Sequence, residues 1–220
     1  MVEPIVSGVY QVSGVVANCY LIVADRELAV VDSGLPYSHR AVLKLIGALG
    51  FAPGALRLIA LTHADRDHMG GATALRAATG AVVVASAVEG AAMAEARETR
   101  RVGLPGPLRS VFETVSRWAF AAVTPVVPDR FVEEGEALEG PFGLRALHTP
   151  GHTPGHMSFF ASNRGILFAG DSMRSFAGRM RPSSGANTDD ELQAQESVWR
   201  QMALDPKLIL VGHGTPIWVR

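Results

Sequence analysis

The sequence has a single cysteine and very few lysines, and the scarcity of cysteine excludes whole classes of protein. Cys19 is the only cysteine in 220 residues, so an internal disulfide framework and a cysteine-rich zinc knuckle are excluded. Its neighbours in "NCYLIV" are apolar, which favours a buried structural thiol over a nucleophile. Only Lys44 and Lys207 are lysines, yet arginine brings the basic residues to 20 against 21 acidic ones. The resulting net charge of -1 does not point to nucleic acid or an anionic membrane as a partner.

Long apolar runs and a basic leader are also missing. The apolar stretches are short and interrupted, so no transmembrane helix is expected. The N-terminal "MVEPIVSGVYQV" lacks the basic-then-apolar pattern of a signal peptide, so a cytoplasmic location is expected. With 48% hydrophobic and 19% charged residues, the chain is nevertheless able to bury a large core. We therefore expect a single domain over residues 1–220.

Short apolar runs, bounded by turn residues, alternate with amphipathic segments along the chain. Strands are predicted over 5–12, 19–23, 28–31 and 56–61, and later in "FGLRALH", "HMSFFAS", "GILFAG" and "KLILVGH". Helices are predicted over 39–49 and 189–202 and in "GGATALRAATG". Strands followed by helices in two successive sets indicate a layered α/β sandwich.

Residues 88–130 differ in character from the segments around them. Their pattern is helical, and six arginines lie between Arg97 and Arg130. We expect this segment to be an insertion that covers the site as a helical lid. An anionic substrate would suit its arginines, but a solvated helix face is the favoured interpretation for most of them.

Polar residues stand just after several predicted strands, where a sheet delivers side chains to one edge. The candidate metal ligands among them are the neutral nitrogen donors His63, His68, His152 and His213 and the carboxylates Asp67 and Asp171. Such a mixed set suits zinc, iron or manganese, and the lack of thiolates excludes most structural zinc sites. The pattern therefore predicts a metal site that leaves positions open for water, as catalysis requires.

Five short motifs in a fixed order carry a specific resemblance. They are "VVDSG" (30–34), "THADRDHMGG" (62–71), "HTPGHTPGH" (148–156), "FAGDSM" (168–173) and "VGHGTP" (211–216). In this order they resemble the metallo-β-lactamase-fold hydrolases, and in particular their small stand-alone glyoxalase II-like and lactonase-like members. The resemblance implies a four-layer αββα sandwich with a metal site at one edge of its two sheets.

The resemblance also implies how the ligands are divided between two metal ions. The first ion would take His63, the residue at position 65 and His152; the second would take Asp67, His68 and His213; Asp171 would bridge both. Asp32 would support the ligand loops without binding metal. For His148 and His156, which flank His152, a supporting or structural role is favoured over ligation.

Asp65 is the departure from the family's His-x-His-x-Asp-His motif, since this chain has "HADRDH" at 63–68. A carboxylate oxygen lies as many bonds from Cβ as an imidazole Nδ1 does, so we predict that Asp65 is a ligand. The alternative, in which the change removes the first metal, stays open. The resemblance implies two zinc ions, but an additional carboxylate makes the site harder and less Lewis acidic, which favours manganese or iron.

The resemblance implies metal-assisted hydrolysis of a thioester, lactone or related ester. A metal-bound hydroxide would attack the carbonyl, and Asp67 would orient it as the catalytic residue. We expect a small-molecule substrate, no nucleic-acid or membrane partner, and a monomer or homodimer. Three alternatives stay open: a phosphodiesterase using the same site, a mononuclear-iron persulfide dioxygenase on the same scaffold, and a non-catalytic metal-binding module.

Overall fold

Two β-sheets packed face to face, with helices on their outer faces, form the fold. The computed structural model describes residues 2–12, 15–99, 123–176 and 179–219. Within these ranges the strands are β1 (Val9–Gln11), β2 (Tyr20–Ala24), β3 (Glu27–Val31), β4 (Leu56–Ala60), β5 (Val82–Ala85), β6 (Arg130–Phe131), β7 (Arg145–His148), β8 (Met157–Ala161), β9 (Ile166–Gly170), β10 (Met173–Phe176), β11 (Arg179–Pro182), β12 (Leu208–Val211) and β13 (Ile217–Trp218). The α-helices are α1 (His39–Ala48), α2 (Arg66–Met69), α3 (Ala72–Thr79), α4 (Ala87–Ala94) and α5 (Glu191–Met202).

The pairing of the strands brings several strand ends to one edge of each sheet. In the first sheet the order is β1-β2-β3-β4-β5-β6, and β3 to β6 run parallel to one another. In the second sheet the order is β13-β12-β9-β8-β7, with β12 parallel to β9. Parallel strands end at the same edge of a sheet. The residues that follow β3 and β4 therefore lie at one edge of the first sheet, and those that follow β9 and β12 lie at one edge of the second.

Three apolar clusters separate the layers of the sandwich. The first lies between the first sheet and helices α1 and α3, where Val30 and Ile46 are fully buried. The second lies between the two sheets and includes the fully buried Phe168. The third lies between the second sheet and α5, where Ile209 packs with Val198. The expected four-layer αββα sandwich is confirmed.

The sequence explains the buried face and the end of helix α1 and the beginning of helix α5. In α1 the buried residues Val42, Leu45 and Ile46 repeat at a spacing of three and four, so one face meets the core. The segment after this helix passes through Gly50, whose φ of +83° favours glycine. Helix α5 begins after Asp190, whose side chain accepts hydrogen bonds from two backbone N–H groups of the first turn.

The segment predicted as a lid, 88–130, is described only in part, because residues 100–122 lie outside the described ranges. Its first residues belong to α4, and the side chains of Ala92 and Met93 are fully buried in the first cluster. Val126, near the end of the segment, is buried in the same cluster. The described ends of the segment are therefore part of the sandwich, and a lid over the site stays a prediction for the residues between them.

Several short elements were not predicted from the sequence. They are helix α2, the antiparallel β10–β11 hairpin and the two-residue strands β6 and β13. Elements this short contain too few residues for a hydrophobic period to be visible. Among the described residues, no helix combines the length and the apolar character needed to cross a membrane.

Candidate metal centre

The candidate ligands lie at one edge of the sandwich, beyond strand ends from both sheets. His63 comes three residues after the end of β4 in the first sheet, and Asp67 and His68 lie in the short helix α2 that follows. His152 lies in the loop between β7 and β8, Asp171 directly follows β9, and His213 follows β12. Side chains from both sheets therefore converge at one place, as the sequence predicted.

One group consists of His63, Asp65 and His152, each of which offers one donor atom within 4.8 Å of the others. Asp65 Oδ2 lies 3.5 Å from His63 Nε2 and 3.3 Å from His152 Nε2. All three residues are buried. The carboxylate of Asp65 thus lies beside the two histidines with which it was predicted to share a metal ion; its ligation stays a prediction.

The second group consists of Asp67, His68 and His213, whose donor atoms also lie within 4.8 Å of one another. His213 Nε2 lies 3.3 Å from Asp67 Oδ2. His68 is buried, but Asp67 and His213 are partly exposed. Solvent therefore reaches the site from the side of the second group.

Asp171 lies between the two groups. Its Oδ2 is 3.7 Å from His152 Nε2 in the first group and 3.4 Å from His213 Nε2 in the second. Its Oδ1 is 3.4 Å from His68 Nε2. This placement is the one that the resemblance implied for a residue shared by both halves of the site.

Asp32 orients two of the histidines without joining either group. Its Oδ2 lies 2.8 Å from His68 Nδ1, so it accepts that N–H. Its Oδ1 accepts the backbone N–H of Thr62 at 2.9 Å, and the Thr62 hydroxyl donates to the same carboxylate. Because that hydroxyl donates to Asp32, it accepts from His63 Nδ1, 2.9 Å away. Both imidazoles therefore keep Nε2 turned towards the site.

The remaining buried histidines of the region are held in a similar way. His152 Nδ1 lies 3.1 Å from Ser183 Oγ, which leaves its Nε2 towards Asp65. His156 Nε2 accepts the backbone N–H of Asp171 at 3.0 Å, so His156 supports Asp171 from outside both groups. His148 is half-buried, with Nε2 3.0 Å from the Pro154 carbonyl oxygen, and belongs to neither group.

The clustered charges shift the pKa values of the site residues strongly. Burial alone would raise the pKa of the Asp65 carboxyl, but the imidazoles of His63 and His152 outweigh it and hold that pKa well below its usual range. Burial likewise opposes protonation of His68, yet the carboxylates of Asp32 and Asp171 raise its pKa to about 10. Without bound metal ions, the negative charge of the carboxylates is therefore balanced in part by a proton on His68.

Three donor atoms at the centre of the site fit a bound cation. These atoms are buried and have no hydrogen-bond partner in the part of the chain that the structure describes. They are His63 Nε2, His68 Nε2 and Asp171 Oδ1. Buried polar atoms of this kind normally find a partner. The nitrogen-to-oxygen separations of 3.3–3.7 Å also match the roughly 3.4 Å between ligands about 2.1 Å from one tetrahedral ion.

Sequence reasoning missed the side chains that support this arrangement, Thr62, Ser183 and Glu89. Thr62 and Ser183 carry no chemical signal in the sequence, since serine and threonine are common in every kind of loop. Glu89 does carry one, because it is the only charged residue in the stretch "ASAVEGAAMA". An acidic residue on an otherwise apolar helix is buried only when an opposite charge or hydrogen-bond donors compensate it.

Comparison with known proteins agrees with the geometry. A sequence model described as the metallo-beta-lactamase superfamily matches residues 12–213. The hydroxyacylglutathione hydrolase GloC of Haemophilus influenzae is 28% identical over 204 residues, which cover 90% of this chain and 85% of that protein. The acyl-coenzyme A thioesterase MBLAC2 of Gallus gallus is 29% identical over 187 residues, or 77% of this chain and 64% of that protein.

The fold is similar to that of a solved metalloprotein. The structure of TTHA1623 in a di-iron-bound form superposes with a TM-score of 0.71 at 26% identity, and the match covers 96% of this chain and 93% of the other. The superfamily match extends over all the candidate ligands, from His63 to His213. The chain therefore belongs to the metallo-beta-lactamase superfamily of metallo-hydrolases.

Proposed function

We propose that the protein hydrolyses a thioester, with two divalent metal ions held at the sandwich edge. The observation that carries this proposal is the pair of ligand groups with Asp171 between them. One ion would be held by His63, Asp65 and His152 and the other by Asp67, His68 and His213, with Asp171 shared. When bound, such ions supply Lewis acidity at the carbonyl oxygen and lower the pKa of bound water.

The side chains of the site provide orientation and access. Asp67 and His213 are the partly exposed members of the ligand set, so the substrate approaches from their side. The Asp67 carboxylate would accept a hydrogen bond from the attacking water and orient it towards the carbonyl carbon. The buried group of His63, Asp65 and His152 would face away from solvent and hold one of the two ions.

The substrate class rests on the named relatives. The names hydroxyacylglutathione hydrolase and acyl-coenzyme A thioesterase both describe the release of an acyl group from a thiol carrier. A thiolate is a better leaving group than an alkoxide, so hydrolysis needs little protonation of the departing sulfur. Lactones and other esters are the next candidates.

The charge of the ligand set supports manganese or iron over zinc. Asp65, Asp67 and Asp171 together would cancel three of the four positive charges that two divalent ions bring. A carboxylate in place of an imidazole makes a donor set harder, and harder donor sets suit manganese and iron better than zinc. The similarity to a structure in a di-iron-bound form supports the same preference.

The experiment begins with metal quantification on protein purified from cells supplied with zinc, manganese and iron. The chain is then stripped of metal, reloaded with each ion and tested against acyl-glutathione and acyl-coenzyme A thioesters, lactones and phosphodiesters. We expect two ions per chain and turnover fastest with thioesters and with manganese or iron. Turnover of phosphodiesters alone, oxygen uptake with one iron, or tight binding without any turnover would each overturn the proposal.

A further inference from the structure

Glu89 is a fully buried carboxylate wedged between the two loops that carry the buried ligand group. It lies in α4, and its side chain has 0% exposure. One loop, 61–65, carries His63 and Asp65, and the other, 149–156, carries His152. Among the described residues, no lysine, arginine or histidine side chain forms an ion pair with Glu89. Its carboxylate instead accepts hydrogen bonds from these two loops and from Thr99.

The two oxygens of Glu89 serve different loops. Oε2 accepts the backbone N–H of Ala64, the residue between His63 and Asp65, at 2.9 Å. Oε1 accepts the backbone N–H of Gly155 at 2.9 Å and the hydroxyl of Thr153, next to His152, at 2.8 Å. A single side chain thereby fixes the spacing between both loops through charge-assisted bonds.

Glutamine cannot reproduce this arrangement. It has the same shape, but only one of its two terminal atoms accepts a hydrogen bond. Its amide NH2 would have to face either the Ala64 N–H or the Gly155 N–H, donor against donor, in a buried place. The two loops therefore require an ionised carboxylate, since both backbone N–H groups must be satisfied.

We propose that Glu89 is a positioning residue that sets the metal affinity of the buried half of the site. The inference rests on the proposed dinuclear function. Glu89 itself would not contact an ion, because its oxygens already accept hydrogen bonds from the two loops. Its contacts reach the neighbours of His63, Asp65 and His152 and none of the residues next to Asp67 or His213, so the effect is confined to one half.

The test measures manganese(II) binding to the metal-free full-length protein, with free manganese followed by electron paramagnetic resonance. The wild-type protein should bind two ions. Glu89→Gln should keep one ion at wild-type affinity and bind the other about 10–100-fold more weakly, the range found when partners of metal ligands are altered. The matched control is Asp129→Asn, because Asp129 also accepts a backbone N–H, from Val83 at 2.8 Å, but lies away from both ligand loops.

Double variants identify which half is affected. His213→Ala removes a ligand of the exposed half, so adding Glu89→Gln to it should weaken the remaining ion by the same factor of about 10–100. His152→Ala removes a ligand of the buried half, so adding Glu89→Gln to it should change little. Equal weakening of both ions in the single variant, or no weakening of either, would overturn the inference while the dinuclear function stands. A wild-type chain that binds no manganese would overturn both.

A milder variant decides the matter if Glu89→Gln fails to fold. Thr153→Val keeps the size and branching of the side chain and removes only the hydroxyl that donates to Glu89 Oε1. It should weaken the same single ion by a smaller factor, with the far-ultraviolet circular dichroism spectrum unchanged. Unaltered binding of both ions by Thr153→Val would count against the inference.

Discussion

His152 Nε2 lies 3.3 Å from Asp65 Oδ2, although the two residues are 87 positions apart in the chain. In the sequence Asp65 stands where the resemblance implies a histidine, and the fold keeps its carboxylate beside two other candidate ligands. Its carboxylate is buried, faces two imidazoles and remains ionised, because those imidazoles keep its pKa low. The departure from the motif changes the chemistry of the position without displacing the side chain from the site.

Replacing Asp65 should shift the metal preference. Asp65→His restores the family's motif and removes one negative charge, which lowers the pKa of metal-bound water. A drop of about one pKa unit would raise zinc-supported activity about tenfold at pH values below that pKa. The ratio of zinc- to manganese-supported kcat measures the effect. Asp65→Asn, which removes the charge and weakens the ligand, serves as the comparison and should lose affinity for one ion; an unchanged ratio in both variants would contradict the charge argument.

Asp32→Asn should weaken metal binding through the orientation of His68. The φ of Asp32 is +60°, a backbone conformation that asparagine also tolerates, so the loop can keep its shape. An asparagine amide that donates to His68 Nδ1 would force the proton onto Nε2, the atom that faces Asp171. We expect metal affinity to fall about 10–100-fold, measured by competition with a chelating dye. Asp190→Asn, which changes a carboxylate at the start of α5, should bind metal normally.

Gly212→Ala should disturb Asp171 by direct contact. A Cβ at this position would overlap the Asp171 Oδ1 atom and press on the His68 ring. The shared carboxylate would have to move, so we expect loss of at least about tenfold in metal affinity. Gly47→Ala is the control, since nothing lies within 4 Å of a Cβ there and alanine favours the helix by about 1 kcal/mol. Equal metal affinity in the two variants would show that Asp171 tolerates displacement.

Metal binding should release protons from the site at neutral pH. The pKa of His68 is raised to about 10 in the metal-free protein, so its imidazole is protonated at pH 7.5. A metal ion needs the Nε2 lone pair, so binding displaces about one proton from this residue. Apparent affinity should therefore rise with pH until His68 deprotonates by itself near its raised pKa. Calorimetric titrations in buffers of different ionisation enthalpy count the protons; binding enthalpies that do not depend on the buffer would contradict this prediction.

Much of the fold could be predicted from local sequence patterns. The buried strand β4 stands out as a short apolar run, and helix α1 stands out because its hydrophobic period extends over enough residues. The short helix α2 and the β10–β11 hairpin could not be predicted, because each contains too few residues to show a hydrophobic period. The helical pattern at the start of the segment 88–130 corresponds to α4, and the buried Met93 joins that helix to the first apolar cluster; a lid stays a prediction for the residues beyond it.

The sequence by itself determined the superfamily and the ligand types, because strand-end motifs such as "THADRDHMGG" combine chemistry with position. Only the tertiary structure decided that Asp65 still faces the other candidate ligands, since its direction depends on a loop whose backbone is held by Glu89. It also decided that Asp171 stands between the two groups. These relationships join residues far apart in the chain, and their distances are set by packing two sheets together, which no local pattern encodes.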